Sequence, residues 1–163
     1  MRLLFSPRLL EVEVVIKLLA EAFDPFEEVK RFQEQSVGSA CAVGATSIFI
    51  GTMRDFNDGD PVVSMFLEYY PGMTERQLKD IVAEAIGQWA VLNVLVVHRV
   101  GDISPGDPIV VVAVETSHRG DAFDACRFIM EALKSKAPFW KKEQLKSQKS
   151  RWVGNNSKGY APE

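Results

Sequence analysis

The 163-residue chain carries only two cysteines, Cys41 and Cys126, and two histidines, His98 and His118. The cysteines form no CxxC pair and no zinc-type spacing, which excludes a disulfide framework, a zinc ribbon and a dithiol redox site. Two histidines so far apart in sequence make a weak metal site, so no metal is expected. No apolar run approaches the roughly 20 residues that a membrane helix needs. The chain has no GxSxG elbow, no P-loop and no GxGxxG fingerprint. It also lacks internal repeats and low-complexity tracts. A large charge excess is missing too: the formal net charge is -3, so any affinity for anions must come from local clusters.

What remains is an ordinary globular composition, 47% hydrophobic and 25% charged. The length favours a single domain, over residues 1–153, followed by a polar tail, residues 154–163, that is expected to be mobile. Arg8, Glu11 and Glu13 interrupt the apolar N-terminus and no small-residue cleavage site follows, so it reads as a folded segment rather than a signal. Unpaired cysteines fit a reducing, cytoplasmic setting.

The segment from Leu10 to Leu18 mixes strand and helix patterns. Asp24-Pro25 opens a helix to about Glu34, with Asp24 as N-cap. The runs Ala45–Met53 and Val62–Tyr70 flank Asn57-Asp58-Gly59-Asp60 and are expected to pair as a hairpin. Thr74 starts a helix whose apolar stripe includes Leu78, Ile81, Val82 and Ala85. Asn93–Val100 and Ile109–Val114 read as strands. A further helix runs from about Asp121 to Ser135, and Pro138 ends it. This order is mixed α+β, not a purely parallel doubly wound sheet.

Cations gather around the last helix. His118 and Arg119 sit past the apolar strand, where helices begin and ligands are often held. Histidine can move protons near neutral pH, and the arginine fork matches phosphate oxygens. The bland alternative is a solvated pair at a turn. Lys134 shares a helix face with Met130 and Cys126. It is either a partner of the helix dipole or a lysine whose apolar surround suits it to act as base or nucleophile. Pro138-Phe139-Trp140-Lys141-Lys142 reads as an aromatic turn, with Phe139 and Trp140 as core anchors. Arg54 lies at a strand end after Gly51. The basic stretch Lys146–Arg151 is short and lacks RNA-binding signatures, so no nucleic-acid partner is expected.

Taken in order, FIGTMRD (Phe49–Asp55), LEYYPGMTE (Leu67–Glu75), VVHRVGDISPGD (Val96–Asp107), Ser117-His118-Arg119, FIMEALKSKAPFWKKE (Phe128–Glu143) and Arg151-Trp152 resemble the large, catalytic subunit of molybdopterin synthase. The resemblance spans about Ala45 to Val153, and APFWK is its sharpest piece. It implies an α/β hammerhead fold with an additional small antiparallel β subdomain. It implies a homodimer within a heterotetramer, partnered by a small ubiquitin-like sulfur-carrier subunit with a C-terminal Gly-Gly. The implied reaction is sulfur transfer to cyclic pyranopterin monophosphate (precursor Z), forming the molybdopterin dithiolene, with no cofactor in this subunit. The same resemblance implies catalytic Lys134 and Lys141, with Arg54, His118, Arg119, Met130 and Arg151 binding substrate. His118 and Arg119 would serve the neighbouring subunit's site. Residues 1–44 do not match clearly, and Asn155, Asn156 and Lys158 stand where relatives often carry another arginine. Two rivals are a non-catalytic module that only holds the ubiquitin-like protein, and a phosphate- or RNA-binding domain using Lys134–Arg151.

Overall fold

The structure is a computed structural model, and it describes residues 12–36 and 40–154. The N-terminal segment before Val12 and nearly all of the polar tail lie outside the described residues. In chain order the elements are β1 (Glu13–Leu19), α1 (Pro25–Gln35), β2 (Ala45–Thr52), β3 (Phe56–Asn57), β4 (Asp60–Tyr69) and α2 (Met73–Gln88). There follow β5 (Val91–Arg99), β6 (Gly101–Ile103), β7 (Pro108–Thr116), α3 (Arg119–Ser135), β8 (Phe139–Leu145) and β9 (Ser150–Trp152).

Two sheets organise the chain. The first has the order β1-β5-β7-β2, with β1 parallel to β5 and the other pairs antiparallel. Its central strands β5 and β7 are near-continuous valine runs, as strands covered on both faces should be. Residues Val94–Val97 and Val111–Val114 are completely buried. Alternation then divides the core. Val94, Val96, Val112 and Val114 face α2 and α3, packing on Leu78, Ile81, Ala125 and Ile129. Leu95, Val97, Val111 and Ala113 face α1, packing on Val29 and Phe32.

The second sheet is the small antiparallel subdomain, ordered β3-β4-β8-β9, with β6 also paired to β4. Met53, Val62, Met65, Leu67, Val100 and Ile103 form its own core. The whole is the α/β hammerhead with an added antiparallel subdomain that the sequence resemblance implied.

Local chemistry explains the element ends, with corrections. Asp24 caps α1 as expected: its Oδ1 accepts from the Phe26 and Glu27 amides at 2.8 and 3.3 Å, and Pro25 takes the first helical position. Helix α2 begins earlier than Thr74, at Met73 after Gly72 (φ 83°). The Glu75 carboxylate accepts from the Gly72 amide at 2.6 Å, while the Thr74 hydroxyl reaches back to accept from Tyr70.

The expected hairpin between Ala45–Met53 and Val62–Tyr70 does not form. The Asn57–Asp60 turn is real, with Asp58 and Gly59 both at positive φ, but it joins β3 to β4. Strand β2 pairs with β7 instead, from Ala45↔Thr116 to Thr52↔Pro108. The chain leaves that sheet after an irregularity at Gly51/Thr52, where Met53 exchanges backbone hydrogen bonds with Gly106 and Asp107. Turn chemistry marks where a chain reverses, and it does not choose which distant strand a run joins.

Candidate active site

The aromatic turn expected at Pro138–Lys142 is, from Phe139 on, the strand β8, and that difference builds the site. In β8, residues Phe139, Lys141 and Glu143 alternate onto the inner face, while Trp140 and Lys142 point outward. Phe139 is an inner anchor as expected. Trp140 is not: it is 42% exposed and meets Tyr70 edge-on at 5.8 Å.

Lys134 arrives from the other direction, in the last turn of α3, where Met130 lies one turn before it. Helix end and strand start thus bring Lys134 and Lys141 to one place. They line two adjoining cavities where the two sheets meet. The first, about 130 Å³, also holds Arg54, Phe56, Asn57, Met65 and Glu143. The second, about 110 Å³, is more apolar, with Phe49, Gly51, His98, Val110, Met130, Leu133 and Phe139. Thr52, Ile109, Lys134 and Lys141 belong to both.

Electrostatics tune this pair. Burial, and then the Lys134 charge, push Lys141 down from 10.5 to about 8, and Glu143 opposes that fall. Lys141 is therefore a cation that releases its proton far more readily than a surface lysine. Glu143 is itself buried and held: it accepts from Asn57 at 2.8 Å and from Arg151 Nε at 3.0 Å. Arg54 is exposed, with its guanidinium 4.9 Å over the Phe56 ring. It thus stands at the rim of the first cavity.

The remaining site residues named from sequence fall elsewhere. The Arg151 guanidinium also donates to Asp60 and to the Asn57 carbonyl, each at 2.8 Å. Its contacts buttress the wall behind Glu143. His118 is the N-cap residue of α3 and Arg119 its first residue, both exposed. Fifteen residues separate Arg119 from Lys134, about 22 Å along the helix axis. The two halves of the motif therefore lie at opposite ends of one helix. Cys126, which shares the Lys134 face, is buried against β7, and burial raises its thiol pKa, so it makes a poor nucleophile.

His98, which the sequence suggests only as half of a weak metal site, lines the second cavity. Its Nδ1–H donates to the Arg99 carbonyl at 2.7 Å, and its ring stacks on Phe139 with centroids 4.1 Å apart and planes 12° off parallel. Burial above all, with Lys141 and Lys134 adding to it, pushes it down to about 4, against the effect of the Arg99 hydrogen bond. Its place in the sequence is the signal: a histidine directly after the apolar run Val94–Val97, still within a central strand, needs a polar reason to be there.

The fold and site together define a class: an α/β hammerhead protein with a paired-lysine cavity suited to an anionic group. Comparison with known proteins places the chain within it. The family model described as MoaE protein matches residues 20–136. The molybdopterin synthase catalytic subunit of Pseudomonas aeruginosa is 48% identical over 140 residues, covering 86% of this chain and 90% of that protein. A solved molybdopterin biosynthesis MoaE protein from Burkholderia ambifaria MC40-6 is 44% identical, with a TM-score of 0.71 over 86% of this chain and 88% of that one. A Helicobacter pylori 26695 structure, described as a complex of subunits 1 and 2 of molybdopterin-converting factor, has a TM-score of 0.68 over 90% of this chain and 92% of that one. Its 20% identity supports the fold alone. The chain belongs to the MoaE family, the catalytic subunits of molybdopterin synthase, which act in molybdenum cofactor biosynthesis. No helix among the described residues is long and apolar enough to cross a membrane.

Proposed function

We propose that this protein transfers sulfur from a thiocarboxylated, ubiquitin-like small subunit to cyclic pyranopterin monophosphate, building the molybdopterin dithiolene. The observation that carries this reading is the lysine pair lining two unlike cavities at once. The polar cavity with Arg54 suits the anionic pterin phosphate. The smaller, more apolar cavity suits a side-chain-free Gly-Gly tail. Lys134 and Lys141 then stand where the two reactants meet.

The thiocarboxylate sulfur bonds to a substrate carbon as that carbon's C–O bond breaks and the oxygen leaves on the phosphate or as water, giving a thioester. Water then cleaves the acyl C–S bond, which leaves sulfur on the pterin and a carboxylate on the tail. That cleavage passes through a tetrahedral oxyanion, and a lysine ammonium at the junction stabilises it. Lys134 takes this role. Lys141, with its lowered pKa, steadies substrate charge and exchanges protons near neutral pH. Met130 lines the tail cavity, and Arg151 serves the substrate through its hold on Glu143. No cysteine is needed to carry sulfur.

His118 and Arg119 act in the second copy's site. Their distance from Lys134 within one chain, and their exposure at the start of α3, support a homodimer in which each site draws on both chains. With one small subunit per site the assembly is a heterotetramer.

The test is precursor conversion with the thiocarboxylated small subunit. Lys134→Ala should abolish product while the circular dichroism spectrum stays native. Near wild-type turnover by that variant would remove Lys134 from the mechanism. Small-subunit binding without any turnover by the wild-type protein would favour a holding module instead.

A further inference from the structure

The second cavity contains a polar group that the proposed chemistry leaves unused. Two contacts and its burial define its state. The Arg99 carbonyl can only accept, so the proton of His98 lies on Nδ1. Phe139 covers one face of the ring. The residue as a whole is 7% exposed, yet it lines the cavity beside both lysines. The polar atom left for the cavity is Nε2, and it carries a lone pair. Around it Phe49, Val110, Leu133 and Phe139 offer no acceptor, Met130 offers only a weak thioether and the lysines donate when charged, which leaves the Thr52 hydroxyl as the other side-chain acceptor of the cavity.

We propose that His98 is a further binding residue of this site, in which Nε2 accepts a hydrogen bond from a backbone N–H of the small subunit's glycine tail. This rests on the sulfur-transfer reading given above. An extended peptide entering an apolar slot must place its amides against acceptors or lose the hydrogen bonds they made to water. A tail held beside Lys134 also needs an acceptor that is not an anion, since a carboxylate there would pair with the lysines and compete with the thiocarboxylate. A neutral imidazole meets both demands. Burial and the two lysine charges keep it neutral at any pH near 7. The charged groups facing it are Lys134 on α3 and Lys141 on β8; Glu143, on β8 beyond Lys141, is tied to Asn57 and Arg151. Gly51 supports the fit from β2: a Cβ there would come within 2.8 Å of Val110 Cγ1 and 3.3 Å of the Phe49 ring, so the slot is walled closely.

The experiment measures calorimetric binding of the small subunit in its ordinary carboxylate form, and of the same subunit lacking its two terminal glycines. His98→Phe keeps the stack on Phe139 and removes both nitrogens. It should weaken binding of the intact small subunit by roughly fivefold to tenfold, the worth of one hydrogen bond. Binding of the truncated subunit and of precursor should not change. His98→Gln, which returns an amide oxygen near the Nε2 position, should recover part of the loss. Equal affinity of wild type and His98→Phe for the intact subunit overturns the proposal. So does an equal loss for intact and truncated forms, which would make His98 a purely structural residue. Thermal melts of both variants show whether the fold survives, and Gln recovery decides the matter if Phe does not fit. Failure of the wild-type protein to bind the small subunit at all would sink the sulfur-transfer reading itself, which separates the two outcomes.

Discussion

Replacing Lys141 by methionine should produce an inactive protein that is more stable than the wild type. Burial and the Lys134 charge together hold Lys141 at about 8 instead of 10.5. At about 1.4 kcal/mol per pKa unit, this places a ceiling of roughly 3 kcal/mol on the cost of keeping Lys141 charged in the folded protein. The sign follows from proton binding. The unfolded lysine holds its proton up to 10.5, while the folded one begins to release it near 8. Between those values the unfolded state binds more protons, so stability rises with pH through that window. The cost is fully present below 8 and fades by 10.5. Methionine keeps the long stem and removes the charge. Glu143 keeps its bonds to Asn57 and Arg151, so the substitution strands no buried carboxylate. Urea unfolding of both proteins at neutral pH and near pH 10 is the assay. Lys141→Met should gain up to about 3 kcal/mol at neutral pH, with most of the gain gone at the alkaline end. A variant no more stable than wild type at neutral pH, or a difference that does not change with pH, would refute the reasoning.

Three other outcomes follow from particular contacts. Arg119→Ala should weaken precursor affinity more than small-subunit affinity by calorimetry, and unchanged precursor affinity would remove Arg119 from substrate binding. If each site draws on both chains, mixing Arg119→Ala with Lys134→Ala chains should restore activity that neither variant has alone, because one site of the mixed dimer is then intact; a mixture as inactive as its parents would place both residues in the same chain's site. Gly44→Ala should destabilise the fold by about 2–3 kcal/mol in urea unfolding, since a Cβ there would lie 2.3 Å from the Ser117 backbone oxygen, which cannot swing away as a side chain can.

Much of the scaffold was legible in the chain. The apolar strands around Val94–Val97 and Val110–Val114, the Asp24 cap and the stripe of α3 all rest on local rules of period and capping, which act within a few residues. The strand partners were not. Pairing β2 with β7 joins residues about sixty positions apart, and nothing local distinguishes that partner from the nearer β4. The same limit hid β8. Proline followed by two aromatics and two lysines reads as a turn, yet pairing to β4, from Tyr69↔Phe139 to Val62↔Leu145, makes it a strand.

The site shows the same division. Sequence supplied the cations, and the ordered motifs identified Lys134 and Lys141 as a pair. Composition and spacing could not weigh Lys141 against Lys142; the resemblance picked Lys141, and the β8 pleat is what turns it inward and Lys142 out. His98 gave little signal as a residue type, and it gained a role from burial, from Phe139 and from the Arg99 carbonyl. By itself the sequence determined the main helices, the central strands, the family and the stock of reactive groups, since those depend on neighbours along the chain. Tertiary structure alone decided which lysine is buried, which histidine faces the cavity, and that Lys134 and Lys141 meet where the two sheets join. Burial and long-range pairing set those outcomes, and both are properties of the packed molecule.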